Sequence, residues 1–134
     1  MLVAFSVAPS SAPLAPPPPG PGQQAGPGPG EGAAASPESS LALAVADAVR
    51  VVRASGLPNH TDAMFTTIEG SWDECMDVVR RACDAVARHG DRVSLVLKAD
   101  LRTTPGRTSG ELEGKVERLE AALERVEGEP GRGQ

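Results

Sequence analysis

A thirty-residue segment rich in proline and glycine, residues 9–38, most limits what this chain can fold into. It holds ten prolines and six glycines and has no long apolar run. Proline removes a backbone donor, and a segment of this composition cannot bury enough apolar surface to offset its ordering entropy. The sequence therefore predicts a single domain over residues 1–127, interrupted by a disordered insert at 9–38. Residues 128–134 are predicted to form a flexible tail.

The glycines of this insert do not indicate a phosphate-binding loop. Such a loop binds phosphate through backbone N–H groups, which the prolines remove, and no Gly-Lys-Ser/Thr sequence follows. A proline-rich ligand for a partner protein is one alternative. A tolerated insertion is the interpretation that the composition favours.

Composition argues against several classes of partner. The 134 residues carry a net charge of -5, with acidic and basic residues interleaved and no basic patch, so we expect no nucleic-acid partner. Phe5, Phe65 and Trp72 are the aromatic residues, too few for a base-stacking platform. No apolar run approaches the roughly 18 residues of a membrane helix, so no membrane partner is expected.

The cysteines indicate a reducing compartment. Cys75 and Cys83 lie on one predicted helix, and a rise of about 1.5 Å per residue places them ~12 Å apart, too far for a disulfide. Two uncrosslinked thiols are typical of a cytoplasmic protein. The N-terminal "MLVAFSVAP" lacks a positively charged start, and we interpret it as a strand rather than a signal peptide.

Apolar periodicity and turn signals predict seven elements, of which the N-terminal strand is the first. "SWDE" at residues 71–74 has the form of a capping box and starts the second helix. The predicted elements are a strand at Leu2–Ala8, a helix at Ser39–Ala54, two short strands within Asn59–Glu69, a helix from Ser71 to Arg88, a strand at Arg92–Asp100, and a last helix carrying Leu112, Val116, Leu119, Leu123 and Val126.

This order predicts an α+β fold of the ferredoxin-like βαββαβ type with an extra C-terminal helix. Right-handed crossovers place the first two helices on one face of a four-stranded antiparallel sheet. The other face stays open and presents Val96 together with alanine or leucine residues of the first strand. Because a monomer rarely exposes such a face, we expect self-association through it, as a dimer or tetramer.

Polar residues at the strand ends are the candidate site. Lys98 and Asp100 share one face of their strand, and Thr66 and Glu69 lie on the neighbouring predicted strand. If association buries that face, these charges must be paired or must hold a polar ligand. No Cys/His cluster has the spacing of a zinc site, so we expect no metal and no cofactor.

Three stretches together resemble the thiamine-binding (YkoF-like) family. They are "MFTTIEG" before a helix, "RVSLVLKADLR", and "GKVERLEAAL". The family pattern Met-x-Thr-x-x-Glu falls on Met64, Thr66 and Glu69. The pattern Lys-x-Asp-x-Arg falls on Lys98, Asp100 and Arg102, where the family's usual Asp-Asp-Arg is Asp-Leu-Arg.

The resemblance implies a non-catalytic protein that binds thiamine or its hydroxymethylpyrimidine moiety and associates through its sheets. Thiamine carries a permanent positive charge and an aminopyrimidine, so a carboxylate and a hydroxyl are suitable contacts. The ligand-binding residues that it implies are Thr66 and Asp100 as principal contacts, with Glu69, Lys98, Ser6 and Met64. Thr67 is expected to point to the opposite face from Thr66.

Two other functions remain open at this level. One is a purely structural or regulatory homo-oligomer in which Lys98 pairs with Asp100 or Glu69 across subunits. The other is a small enzyme that uses Glu69 or Asp100 as a general acid or base, which would require a raised carboxylate pKa in a closed pocket.

Overall fold

A computed structural model describes residues 1–10, 37–103 and 109–128 of the chain. Within these ranges no helix has the combined length and apolarity needed to cross a bilayer. The elements are strands β1 (Leu2–Pro9), β2 (Asn59–Thr61), β3 (Thr66–Glu69) and β4 (Val93–Asp100), and helices α1 (Pro37–Ala54), α2 (Trp72–Val86) and α3 (Glu111–Glu127), with a 3-10 turn at Ala87–His89.

The four strands form one antiparallel sheet in the order β2-β3-β1-β4. With α1 and α2 inserted between strands, this is the ferredoxin-like arrangement, and the predicted α+β fold class is confirmed. The two connections that contain α1 and α2 return to the same face of the sheet, where both helices contact β1. The long central strand β1 is therefore covered by helices on one face.

Alternation along β1 decides where the core lies. Val3, Phe5 and Val7 are buried against the helices, while the residues between them point to the other face. The helices contribute a stripe of small and branched residues at helical spacing to the same core, namely Ala44, Ala48 and Val52 from α1 and Cys75, Val79, Ala82 and Val86 from α2.

The helical spacing of Leu41, Val45, Ala48, Val49 and Val52 predicts the buried stripe of α1, and the structure corrects this prediction. Leu41 and Val45 are more than one-third exposed, and the buried positions of that stretch are Ala44 and Ala48. Alanine lets α1 approach α2 and the sheet closely, which leaves the larger side chains at the edge of the contact.

The start of α2 is the capping box that the sequence indicates. The backbone N–H of Glu74 donates to the Ser71 hydroxyl, and the Glu74 carboxylate accepts from the Ser71 backbone N–H at 2.9 Å. Both ends of the "SWDE" stretch are thereby used for starting a helix.

The second face of the sheet carries the residues expected there. Cross-strand register places Lys98 beside Ala4, Val96 beside Ser6, and Asp100 beside Leu2. Val96 is 57% exposed, so this face is open around it. Helix α3 lies over the β2–β3 side of the same face, bounding with it a cleft of about 870 Å³ that Leu2, His60, Thr67 and Val116 help to line.

The predicted disordered insert concerns residues that lie mostly outside the described ranges. At its ends, β1 continues through Pro9 and α1 already begins at Pro37, so the ordered elements reach slightly further than expected. Disorder over the intervening segment, and flexibility of the C-terminal tail beyond Gly128, stay predictions.

Candidate functional site

Five of the six residues expected to bind a ligand fall into two separate regions, and Lys98 lies in neither of them. Thr66 pairs with Phe5 and faces the helices, whereas Glu69 and Asp100 flank Leu2 on the open face. Residues three apart on a strand point to opposite faces, so the expected meeting of Thr66 with Asp100 does not occur. Glu69 and Asp100 do share one end of the open face, two strand spacings or roughly 10 Å apart.

The first region is a cavity of about 230 Å³ between α1, the second half of β1 and the tip of the β2–β3 hairpin. We call it the hairpin hollow. The residues that line it are Phe5, Ser6, Val7, Ala8, Leu41, Val45, Ala48, Val49, Val52 and all of residues 61–66. Three of the six expected residues, Ser6, Met64 and Thr66, border this hollow.

The hollow exists because the hairpin is short. Strand β3 pairs with β1 only from Leu2 to Phe5, while β4 pairs with β1 as far as Pro9. Beyond Phe5 the edge of β1 is therefore not covered by β3. Since Ser6 alternates with the buried Phe5, its side chain points to the open face and its main chain is what borders the hollow.

A tight turn stabilised by Asp62 forms the hairpin tip. The Asp62 carboxylate accepts the backbone N–H of Met64 at 2.8 Å and of Phe65 at 2.9 Å, an aspartate-type turn. These two hydrogen bonds hold the pKa of Asp62 below its usual value, and the bond from Phe65 has the larger effect. Asp62 is therefore ionised at neutral pH and places one negative charge at the mouth of the hollow.

Thr66 provides the buried polar group of the hollow. It is 8% exposed, and its hydroxyl lies 3.1 Å from the hydroxyl of Thr61 on the adjacent strand. Each hydroxyl has one donor and two acceptor positions, so this mutual bond leaves further capacity for a ligand. The register confirms that Thr67, paired with Ala4, points to the opposite face.

Two of the chain's three aromatic residues, Phe5 and Phe65, line the hollow. Phe5 lies at its floor, Phe65 at its tip, and the 73% exposed Met64 stands at its rim. Flat and polarisable side chains of this kind suit a planar ring. Sequence reasoning missed Thr61, Asp62 and Phe65, although "TDAMFT", an aspartate turn between two threonines, carries the signal.

The second region, which we call the anchor cluster, consists of Glu69, Asp100, Arg102, Glu111, Lys115 and Arg118. Its centre is Glu69, which is 5% exposed. The two oxygens of Glu69 accept the backbone N–H groups of Glu111 and Leu112, each at 3.0 Å. Glu69 thus caps α3, whose preceding residue Gly110 has no side chain to do so.

Ion pairs complete the anchor cluster. Glu111 contacts Arg102 at 3.1 Å and Arg118 at 2.8 Å, and Asp100 pairs with Lys115. A cavity of about 300 Å³ beside Trp72 borders this cluster. The charges there already pair with one another, so the region fixes the first turns of α3 to the sheet. Lys98 borders neither cavity among those described.

The other chemically active side chains have structural contacts. His89 Nε2 lies 2.7 Å from Asp47 Oδ2. This hydrogen bond is the main reason that the pKa of Asp47 is lowered. Burial raises the pKa of the Cys75 and Cys83 thiols, which keeps them protonated at neutral pH. Within residues 1–10, 37–103 and 109–128, no three or more His, Cys, Asp or Glu residues are grouped so as to hold a metal ion.

The described residues thus form an open-faced ferredoxin-like sheet with a small hollow lined by both apolar and polar groups. The family model described as "Thiamine-binding protein" matches residues 33–120. The chain belongs to this thiamine-binding protein family, as the sequence resemblance indicated.

Curated relatives and solved structures agree with this assignment. UPF0045 proteins of Mycobacterium bovis and Mycobacterium tuberculosis are each 55% identical over 84 residues, which is 62% of this chain and 79% of theirs. A Bacillus cereus structure of a domain of unknown function, DUF77, has a TM-score of 0.55 and 28% identity, covering 80% of each chain.

A more distant structure supports the fold alone. It is a Thermotoga maritima protein whose name refers to thiamine biosynthesis and salvage. Its TM-score is 0.59 with 19% identity, covering 88% of this chain and 96% of that one.

Proposed function

We propose that this protein binds thiamine or its hydroxymethylpyrimidine moiety, without catalysis, in the hairpin hollow. The observation that supports this best is the composition of the hollow. It combines apolar and aromatic walls with the buried Thr66 hydroxyl and the ionised Asp62. Few convergent polar groups in an apolar cavity are typical of small-molecule sites.

The size of the hollow favours a single ring. Its volume of about 230 Å³ lies below the range of roughly 300–1,000 Å³ common for drug-sized ligands. We therefore place the pyrimidine ring between Phe5 and Phe65. A thiazolium ring would project past Met64 toward solvent.

Hydrogen bonding and charge both match this orientation. An aminopyrimidine presents adjacent donor and acceptor groups, which the Thr61–Thr66 hydroxyl pair and the uncovered edge of β1 complement. The negative charge of Asp62 lies at the mouth, where the positive thiazolium would stand. In this proposal Ser6 contributes its main chain, and Glu69, Lys98 and Asp100 do not contact the ligand.

The available carboxylates favour binding over catalysis. A general base at neutral pH needs a pKa near 7, whereas that of Asp62 is lowered below its usual value. Glu69 has both oxygens engaged by backbone donors of α3. These environments do not suit proton transfer.

Self-association in the cytoplasm is the second part of the proposal. Ala4, Ser6 and Val96 lie on the open face, where Val96 is 57% exposed. Exposed surfaces of this composition commonly mark interfaces. A structural oligomer without a ligand is the competing function, favoured by the same exposed surface.

Calorimetric titration with thiamine and with free hydroxymethylpyrimidine, both at millimolar concentration, tests the binding. We expect heat from both ligands. Thr66→Val keeps the shape but removes the hydroxyl, which should weaken affinity by about tenfold, one hydrogen bond's worth. Thr67→Val is the matched control, because it makes the same change on the opposite face.

Two outcomes would contradict the proposal. The absence of heat from folded wild-type protein with either ligand would leave the structural oligomer as the better account. Equal losses in Thr66→Val and Thr67→Val would place the ligand elsewhere.

A further inference from the structure

The main chain of β1 has an uncovered edge beside the hairpin hollow. Successive residues of a strand direct their N–H and C=O groups to alternate neighbouring strands. Met1 and Gly70 exchange two backbone hydrogen bonds on the β3 side. The N–H of Ser10 donates to the C=O of Arg92 at 3.0 Å on the β4 side. Odd-numbered residues of this stretch therefore direct their main chain toward β3, and even-numbered residues direct theirs toward β4.

This alternation leaves Val7 without a partner on the β3 side. The pairing of β3 with β1 ends where Thr66 lies opposite Phe5, and the same register two places further would set Met64 opposite Val7. The backbone N–H of Met64 instead donates to the Asp62 carboxylate at 2.8 Å. Within the described residues, no hydrogen bond joins the hairpin to Val7. The turn at the hairpin tip thus leaves the N–H and C=O of Val7 uncovered at the wall of the hollow.

We propose that Val7 binds the ligand through these two main-chain groups, its N–H donating to a ring nitrogen and its C=O accepting from an adjacent amino group. The N–H belongs to the peptide that joins Ser6 to Val7. This inference rests on the proposed function and names the class of ligand that the hollow takes, a single-ring heterocycle with an amino group beside a ring nitrogen. Such an edge presents one donor and one acceptor side by side, as a residue of a paired strand does.

Apolar surroundings make this pairing selective. The Val7 side chain is 7% exposed, and Val45, Val49 and Val52 of α1 line the same hollow. A polar main-chain group in such surroundings costs free energy when it has no partner. A ring that sets an oxygen, rather than an amino group, against the C=O of Val7 leaves that C=O unpaired and should bind weakly.

Calorimetry with three forms of the pyrimidine tests the selectivity. The first is hydroxymethylpyrimidine itself, the second carries an oxo group in place of the amino group, and the third carries hydrogen there. We expect the third to bind about tenfold more weakly than the first, because one hydrogen bond is lost. The oxo form should lose about 100-fold, because its oxygen also meets the C=O of Val7. Equal affinity for the amino and oxo forms overturns the assignment.

NMR of the wild-type protein tests the contact itself and needs no variant that could fail to fold. With protein and hydroxymethylpyrimidine both labelled with heavy nitrogen, we expect a scalar coupling across the hydrogen bond from the Val7 amide to a ring nitrogen. The amides of Phe5 and Ala8 are internal controls and should show none, because they are directed to β3 and β4. A saturated complex without the coupling at Val7 overturns the assignment.

Hydrogen exchange in the ligand-free protein tests the uncovered edge. Relative to its intrinsic rate, the Val7 amide should exchange faster than the paired amides of Phe5 and Ala8. Saturation with hydroxymethylpyrimidine should slow the exchange of Val7 by about tenfold or more and change the other two little. Equal protection of Val7 and Phe5 before the ligand is added would mean that the edge is already paired, and would overturn the inference.

The outcomes separate this inference from the proposed function. If neither thiamine nor hydroxymethylpyrimidine binds, the proposed function is refuted and the assignment of Val7 with it. If hydroxymethylpyrimidine binds without the coupling at Val7, or no more tightly than its oxo form, the assignment alone is refuted and the hollow stays the proposed site.

Discussion

The hairpin hollow and the anchor cluster both contain residues that the sequence pattern assigns to one site, yet they use polar groups in opposite ways. In the anchor cluster each carboxylate is engaged by its own chain, Glu69 by the amides of α3 and Glu111 by two arginines. In the hollow, the Thr66 hydroxyl and the β1 edge retain bonding capacity beside apolar walls. Availability of a polar group, rather than its type, distinguishes a candidate site from a structural contact.

Removing the cap of α3 should have the largest effect on stability. Glu69→Ala leaves two amides of α3 without their acceptor, which we expect to lower the free energy of unfolding by about 2–3 kcal/mol. Urea titration measures the loss, and hydrogen exchange should locate it in the first turn of α3. Glu69→Gln, which keeps one acceptor oxygen, should lose about half as much.

Ligand binding by the Glu69→Ala variant tests whether the anchor cluster and the hollow have separate roles. Because Glu69 and the hollow lie on opposite faces of the sheet, folded Glu69→Ala protein should bind the pyrimidine with unchanged affinity. A large loss of affinity would mean that Glu69 contacts the ligand after all.

A smaller effect is expected from the charge at the hollow's mouth. Asp62→Asn keeps an acceptor oxygen for the turn but removes the charge, so thiamine affinity should fall by about three- to tenfold. Affinity for the neutral hydroxymethylpyrimidine should change little. Calorimetry measures the loss of affinity for each ligand. Equal losses for thiamine and for hydroxymethylpyrimidine would contradict an electrostatic role for Asp62.

Acid should weaken the turn at the hairpin tip by protonating Asp62. Since backbone donors lower the pKa of Asp62 below its usual value, its stabilising contribution is present above the usual pKa of an aspartate and is lost as pH falls through the lowered pKa. The protection factors of the Met64 and Phe65 amides, obtained by NMR from about pH 6 to about pH 3 relative to the intrinsic exchange rate at each pH, should fall only at the acid end. The Asp62→Asn protein should lack this fall.

The smallest effect is expected at Asp100. Its ion pair with Lys115 is nearly half exposed on both sides, and such pairs contribute about 0–1 kcal/mol. Asp100→Ala should therefore leave ligand affinity unchanged and shift the unfolding midpoint slightly. Loss of binding in this variant, with assembly intact, would restore Asp100 as a principal ligand contact.

Local signals were sufficient for most of the fold. The capping box at Ser71 depends on neighbours a few residues away, and it was confirmed. The first strand was likewise predicted from its own residues and is present as β1. The order of elements then leaves few topologies, because crossover connections are right-handed. The buried stripe of α1 was less predictable, since the approach of α2 decides which of its apolar residues are covered.

The site was harder because the family pattern joins residues that the sheet separates. In this pattern Met64 lies at the rim of the hollow, Thr66 faces the helices α1 and α2, and Glu69 faces α3 on the opposite side of the sheet. A linear motif does not distinguish these roles, because strand alternation divides it between two faces. The contribution of Asp62 depends on a turn whose side-chain bonds show only in the folded hairpin.

By itself, the sequence determined the element order, the fold class, the family and the opposite orientation of the two threonines. These follow from periodicity and caps, which act over a few residues, and from motifs in the chain. The tertiary structure alone decided that β3 stops short of covering β1, that Glu69 caps a helix more than forty residues away, and that apolar side chains of α3 such as Leu119 stay exposed. Each of these depends on which distant groups meet, and a group's partners in space determine whether it is still available to a ligand.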